Sequence, residues 1–211
     1  MKKFELTNEF VTNMFGTKLF RIRALVEFGD VEAGELGGYV EKESNLGHDD
    51  NAWVYGDARV YDNALVYDNA RVYGDAQVSG DARVYGDAWV YGDAWVYGNA
   101  LVCGNARVYD NARVYGDAWV YGNARVCGDA LVCGDARVCG NGDYAYAHGF
   151  GSVNRTTTFF RLKDGGVGVR CGCFYGTLAQ FRDKIRETHG ETKKAQEYLM
   201  LADLMKLRFE K

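Results

Sequence analysis

The sequence predicts an all-β solenoid followed by a small α+β C-terminal part, and three observations carry that expectation. First, residues 51–140 read as fifteen consecutive hexapeptides in one unbroken register, N/D-A-x-V-Y-G, from Asn51-Ala52-Trp53-Val54-Tyr55-Gly56 to Asp135-Ala136-Arg137-Val138-Cys139-Gly140. Alanine holds the second place of every hexad and valine the fourth. A short, strict period marks an array whose units are stable only when stacked on their neighbours. Second, strand alternation within A-x-V-Y sends Ala and Val to one face and the x and Tyr/Cys positions to the other. Stiff valine alternating with small alanine suits a narrow core. Third, the hexads are joined by Gly-Asp, Gly-Asn or Asp-Asn pairs, residues that tolerate left-handed backbone at tight corners.

The repeat resembles the hexapeptide-repeat family. That resemblance implies a left-handed parallel β-helix with three hexapeptides per triangular coil. On that basis the fifteen hexads make five coils and a prism about 24 Å long, at roughly 4.8 Å between stacked strands. The chain departs from the family in placing Tyr where Gly or an acid is usual.

Three stretches follow. Residues 1–50 form an N-terminal cap and irregular first coil, with one strand expected over Lys18–Leu25 and a glycine-rich turn at Gly34–Gly38. Residues 51–140 form the regular solenoid. Residues 141–211 form a second cap. There, Lys163-Asp164-Gly165-Gly166 between two β-rich runs signals a hairpin, and Thr177-Leu178-Ala179-Gln180 fits the capping box of a first helix ending before Gly190. A second helix, over about Thr192–Arg208, places Ala195, Tyr198, Leu199, Ala202 and Met205 at helical spacing. Leu201, Leu204 and Leu207 widen its apolar face, so that helix is expected to be buried against this chain or another. The segments around Phe20–Leu25, Leu36–Tyr39, Asn154–Thr158, Cys171–Phe174 and Thr188–Gly190 resemble uncharacterised hexapeptide-repeat proteins carried by phages and prophages.

A net charge of −4 over 211 residues offers no global attraction to duplex nucleic acid or to an anionic membrane. Met1-Lys2-Lys3-Phe4-Glu5 leads into a polar stretch with no apolar leader, which sets the expected compartment as cytoplasmic, host cytoplasm for a phage-borne chain. Cys103, Cys127, Cys133 and Cys139 occupy the outward Tyr position on different faces or distant coils, beyond disulfide reach, and are expected as free thiols. Cys171-Gly172-Cys173 lacks the partner pair a zinc site needs, so neither metal nor cofactor is expected.

The outward x column carries the functional expectation. It contains only Trp, Arg, Leu and Gln, and holds all four tryptophans and seven arginines with no lysine. Taken in threes, one face presents Trp53, Arg71, Trp89, Arg107 and Arg125, the next Trp95 and Arg113, and the third Trp119 and Arg137. Stacking of these groups on one another explains most of the pattern. The remainder suits an interface or an anion site, because Trp, Tyr and Arg dominate interface hot spots. The binding residues expected are therefore Arg71, Trp89, Trp95, Arg107, Arg113 and Trp119. The family resemblance implies a trimer, and in the family's acyltransferases a histidine base beside an interrupted coil. Here no hexad is interrupted, and His48 and His148, the two secondary candidates for a base, lie outside the repeat. A non-catalytic, homo-oligomeric binding or scaffold protein is the expectation, capturing a host protein or a small anionic, nucleotide-like ligand. An acyltransferase and a structural virion or assembly component are the alternatives.

Overall fold

Each hexad does what its alternation requires: a two-residue strand, a corner, the next strand. The computed structural model, which describes residues 2–150 and 154–210, places fifteen such strands, β4 (Trp53–Val54) to β18 (Arg137–Val138), one every six residues. Each pairs in parallel with the strand three hexads away. Trp89 lies beside Arg71 and Arg107, Trp95 beside Gln77 and Arg113, and Leu101 beside Arg83 and Trp119. Three hexads thus close one coil, and the three faces are parallel sheets. Every second-place Ala and fourth-place Val is fully buried. Each buried valine contributes about 1.5 kcal/mol, and the ladder pairs the backbone from coil to coil, as in Trp89 N–H to Ala106 O at 2.9 Å.

Side chains also stack in register along the outside. Tyr73, Tyr91 and Tyr109 form a ladder with ring centroids 4.8 and 4.9 Å apart, nearly parallel, and Tyr97–Tyr115 and Tyr67–Tyr85 repeat it on the other faces. Each such pair is worth about 0.5–1.5 kcal/mol beyond its burial. At the corners, asparagines separate stacked carboxylates and donate to them: Asn69 to Asp87, Asn63 to Asp81, Asn99 to Asp117 and Asn111 to Asp129, at 2.9–3.2 Å. The first residue of each corner pair turns left-handed. Asp62, Asp68 and Asp110 do so with φ of 57–58°, and their carboxylates accept the N–H of Gly80, Gly86 and Gly128 in the next coil.

The N-terminal cap is more than the one strand expected. Strand β1 (Phe4–Thr12) pairs antiparallel with β2 (Lys18–Ala24), and β2 with β3 (Leu36–Val40). Then β3 runs parallel to β5 (Arg59–Val60), and Leu46 bridges Val66, which makes an irregular first coil. β1 carries no legible strand signal because its residues are mostly half-exposed and show no clean alternation. Gly37 and Gly38 lie within β3 rather than in a turn. A Cβ at Gly37 would sit 2.6 Å from Ile22 Cγ1 and from Val54 O, so the missing side chain allows close approach.

Trp53 is corrected from outward to buried. It points away from the prism axis, but the N-terminal segment covers it completely, with Phe4 and Phe28 edge-on at 6.2 and 5.3 Å. Lys3 is buried beside it and donates to the carbonyls of Ala52, Asp49 and Asp50. Burial pushes its pKa down to about 8, against the opposing pull of Asp50 and Asp49.

At the other end, β19 (Tyr144–Phe150), β20 (Arg155–Arg161), β21 (Val167–Cys171) and β22 (Phe174–Thr177) form an antiparallel sheet in that order. The expected hairpin is β20–β21, and it is extended on both sides. Residues 151–153 lie outside the described residues. Phe160 and Tyr144 complete the solenoid core. Tyr146 and Tyr175 set their hydroxyls over Gly128 and Gly134, bare corners where any Cβ would collide with them. Cys133 is therefore buried rather than outward, with Tyr115 and Arg170 as neighbours. All six cysteines are free thiols.

Helix α1 (Leu178–His189) starts with the reciprocal Thr177/Gln180 capping box and ends at Gly190. Helix α2 (Lys193–Phe209) buries Ala195, Tyr198, Ala202, Met205 and Phe209 against the sheet and α1. It is not buried all round: Met200, Leu204 and Leu207 are exposed on its outer side. Among the described residues, no helix is long and apolar enough to cross a membrane.

Candidate functional site

The six residues expected to bind do not converge. Arg71, Trp89 and Arg107 share one face, Trp95 and Arg113 the next, and Trp119 lies on the third. Within each face they satisfy one another. Trp89 is held between Arg107 at 4.6 Å and Arg71 at 5.7 Å, Arg113 lies over Trp95 at 5.0 Å, and Arg137 over Trp119 at 4.3 Å. Exposed cation–π pairs of this kind contribute about 0.5–1 kcal/mol each. Arg71 is further engaged by Asp30 at 2.9 Å, whose other oxygen accepts the Tyr55 hydroxyl. Burial alone would raise the Asp30 carboxyl, but Tyr55 and Arg71 together hold it below the usual range. Arg113 differs in being exposed, its guanidinium making no hydrogen bond to a described residue.

Arg113 opens onto a groove where the last coils meet the C-terminal sheet. The groove measures about 480 Å³ and is lined by Asn111, Arg113, Asp129, Leu131, Arg155, Thr156 and Gly172. β14 (Arg113–Val114) supplies Arg113, and β20 supplies Arg155 and Thr156. The cap is fixed against this face by Leu131 N–H donating to the buried Thr158 hydroxyl at 2.9 Å. The Arg155 guanidinium, like that of Arg113, makes no hydrogen bond to a described residue. The one carboxylate in the lining, Asp129, accepts from Asn111 at 3.1 Å.

His148 stands at the rim of this groove, and its geometry bears on catalysis. Its Nδ1 lies 2.8 Å from Thr156 Oγ1 and 3.8 Å from Asp129 Oδ2. A relay needs hydroxyl and carboxylate on opposite ring nitrogens, so that the carboxylate orients the base that serves the hydroxyl. Here both compete for the same nitrogen. His48, at the opposite end of the solenoid, accepts the Lys3 N–H on Nδ1 and stacks on Phe4 at 4.5 Å. It holds the N-terminal cap in place.

A second cavity was not anticipated from the sequence. It lies in the C-terminal cap between the sheet and α1, measures about 270 Å³, and has Phe174, Phe181, Ile185 and Tyr198 as its apolar walls. Cys171, Cys173 and His189 line it as well. The Cys171-Gly172-Cys173 run was the only trace of it in the sequence. Among the described residues, no group of three or more His, Cys, Asp or Glu side chains is placed to hold a metal ion.

No curated protein matches the chain. A family model does match: residues 52–67, 58–74, 64–80, 76–92, 106–122 and 118–134 each fit the YdcK β-solenoid repeat. Those matches fall wholly within the stacked coils, and together with the parallel three-hexad ladder they make the chain a β-solenoid repeat protein.

Proposed function

We propose that the protein is a non-catalytic binding protein of the hexapeptide-repeat type, and that it holds a small anionic, nucleotide-like ligand in the groove between the solenoid and its C-terminal cap. The observation that carries this reading is the pair of guanidinium groups, Arg113 and Arg155, lining one groove with no hydrogen bond to a described residue. Arg113 is braced from below by Trp95, so its fork is held ready for bidentate pairing with phosphate or carboxylate. The competing arrangement on His148 Nδ1 favours binding over turnover. The resemblance of the terminal segments to phage-borne proteins supports a cytoplasmic host component as the source of the ligand.

Calorimetric titration with inorganic pyrophosphate and adenosine monophosphate tests the reading. Both should bind, and Arg113→Gln should weaken them at least about tenfold, the loss expected for one charge-assisted pair. Trp95→Leu should weaken them less, by releasing Arg113. Absence of binding at roughly millimolar ligand rejects the groove, and acetyl-CoA turnover that disappears in His148→Ala would establish an enzyme instead.

The same reading includes self-association as a trimer, the number coming from the family resemblance. Support comes from α2, where Met200, Leu204 and Leu207 are 54–70 % exposed and fall on one side at helical spacing. Light scattering on Leu204→Lys/Leu207→Glu protein should show loss of assembly, and a monomeric wild type at micromolar concentration rejects it.

A further inference from the structure

The cavity in the C-terminal cap points to a second ligand. We infer that it is a binding site for a small aromatic carboxylate. Its volume of about 270 Å³ sets the size: an apolar cavity of about 150 Å³ accommodates benzene, so a single ring with a short acidic substituent fits and a nucleotide does not.

The walls select a ring. Phe181 is buried and meets Phe174 at 5.4 Å and Tyr198 edge-on at 5.8 Å. His189 lies nearly parallel to Tyr198 at 6.0 Å. Ile185, itself buried, also lines the cavity. A flat guest meets faces and edges on several sides, the arrangement aromatic pairs prefer.

The charge of the mouth selects the acid. Arg155, Lys184 and His189 line the cavity and no Asp or Glu does. Lys184 is engaged outside by Glu187 at 2.8 Å, which leaves Arg155 as the cation for a carboxylate. Gly172 makes room for it: at φ 57°, its missing Cβ is replaced by the Arg155 guanidinium, which packs against the bare turn between β21 and β22. Any side chain there would displace Arg155 from the mouth. Cys171, in the wall, accepts from the Thr157 hydroxyl at 3.1 Å and donates to the Tyr198 hydroxyl at 3.9 Å, and a carboxylate guest is held beside it without covalent attachment.

Thiol protection reads this cavity directly, because Cys171 and Cys173 line it while Cys139 is exposed elsewhere. The full chain is alkylated with iodoacetamide in the presence of benzoate or of neutral benzamide, and each cysteine is quantified by peptide mass spectrometry. Benzoate should slow labelling of Cys171 and Cys173 with half-protection on the order of 1 mM, and leave Cys139 unchanged. Benzamide should need roughly tenfold more, and Arg155→Gln should shift benzoate by about the same factor. Arg155 lines both sites, but Arg113 lines only the groove, so Arg113→Gln should leave protection intact and separates failure of the groove from failure of the cavity. Equal protection by benzamide, protection unchanged in Arg155→Gln, protection lost in Arg113→Gln, or none at about 20 mM benzoate would each overturn the assignment.

Discussion

Gly104 offers a quantitative test of how the corners are built. It sits at φ 66° in the same column as Asp68, Gly86 and Gly122, and a Cβ there would lie 3.2 Å from Gly122 N and 3.3 Å from Gly122 O. Gly104→Ala therefore incurs two costs. Left-handed backbone costs an alanine about 1–2 kcal/mol, and the backbone above must yield by a few tenths of an ångström. Against this, the lower entropy of the unfolded alanine chain returns about 0.4–1 kcal/mol. The net expectation is a loss of about 1–2 kcal/mol. Gly104→Asp has the same Cβ but a different outcome. Asp68, two coils earlier in this column, has its carboxylate 3.1 Å from the Gly86 N–H, and the carboxylate introduced by Gly104→Asp would reach the Gly122 N–H in the same way. Such a bond contributes about 0.5–1.5 kcal/mol net, and the flanking corner residues here are Asn105 and Asn123 rather than acids. The aspartate should therefore lie within about 0.5 kcal/mol of wild type. Equilibrium denaturation followed by circular dichroism measures both. An aspartate as damaging as the alanine would refute the coil-to-coil carboxylate bond as the reason Asp is accepted at these corners.

Two further outcomes follow from burial. Trp53→Ala should cost about 3–5 kcal/mol, the loss for a fully buried large aromatic, whereas Trp119→Ala, 43 % exposed, should cost only the cation–π contact of about 0.5–1 kcal/mol; similar denaturation midpoints for the two would remove Trp53 from the core. The Tyr55 hydroxyl is pushed up to about 12 by burial and by its hydrogen bond to Asp30, with Arg71 opposing. Because the folded pKa lies above the unfolded value near 10, its contribution is complete below about pH 10 and is lost as pH rises through 12. Tyr55→Phe should flatten that alkaline decline, and an unchanged slope of stability between those pH values would count against it.

How much was legible in the sequence depends on where each residue's partner lies. For Ala52 to Ala136 and Val54 to Val138 a partner of the same residue type lies eighteen positions away, so a repeating pattern specifies its own packing, register and buried face. The capping box at Thr177 and the hairpin at Asp164-Gly165 were legible for the same reason: their chemistry is satisfied within a few residues. Trp53 was not. Its neighbours Phe4 and Phe28 come from a segment with no repeat, and only the folded N-terminal cap decides that an outward position becomes a core. Cys133 was likewise hidden by a cap that arrives from elsewhere in the chain.

The sequence alone thus determined that the chain coils, which residues turn inward, and that the outer faces are built of Arg and aromatic columns. Only the tertiary structure decided which of those arginines remain available. Arg71 is taken by Asp30, forty-one residues away, and Arg137 by the Asp117 and Ala136 carbonyls, while Arg113 meets Arg155 from the cap across one groove. The physical reason is that a guanidinium's usefulness depends on what already engages it, and the groups that decide this for Arg71 and Arg113, Asp30 and the C-terminal cap, are brought by segments that share no period with the solenoid.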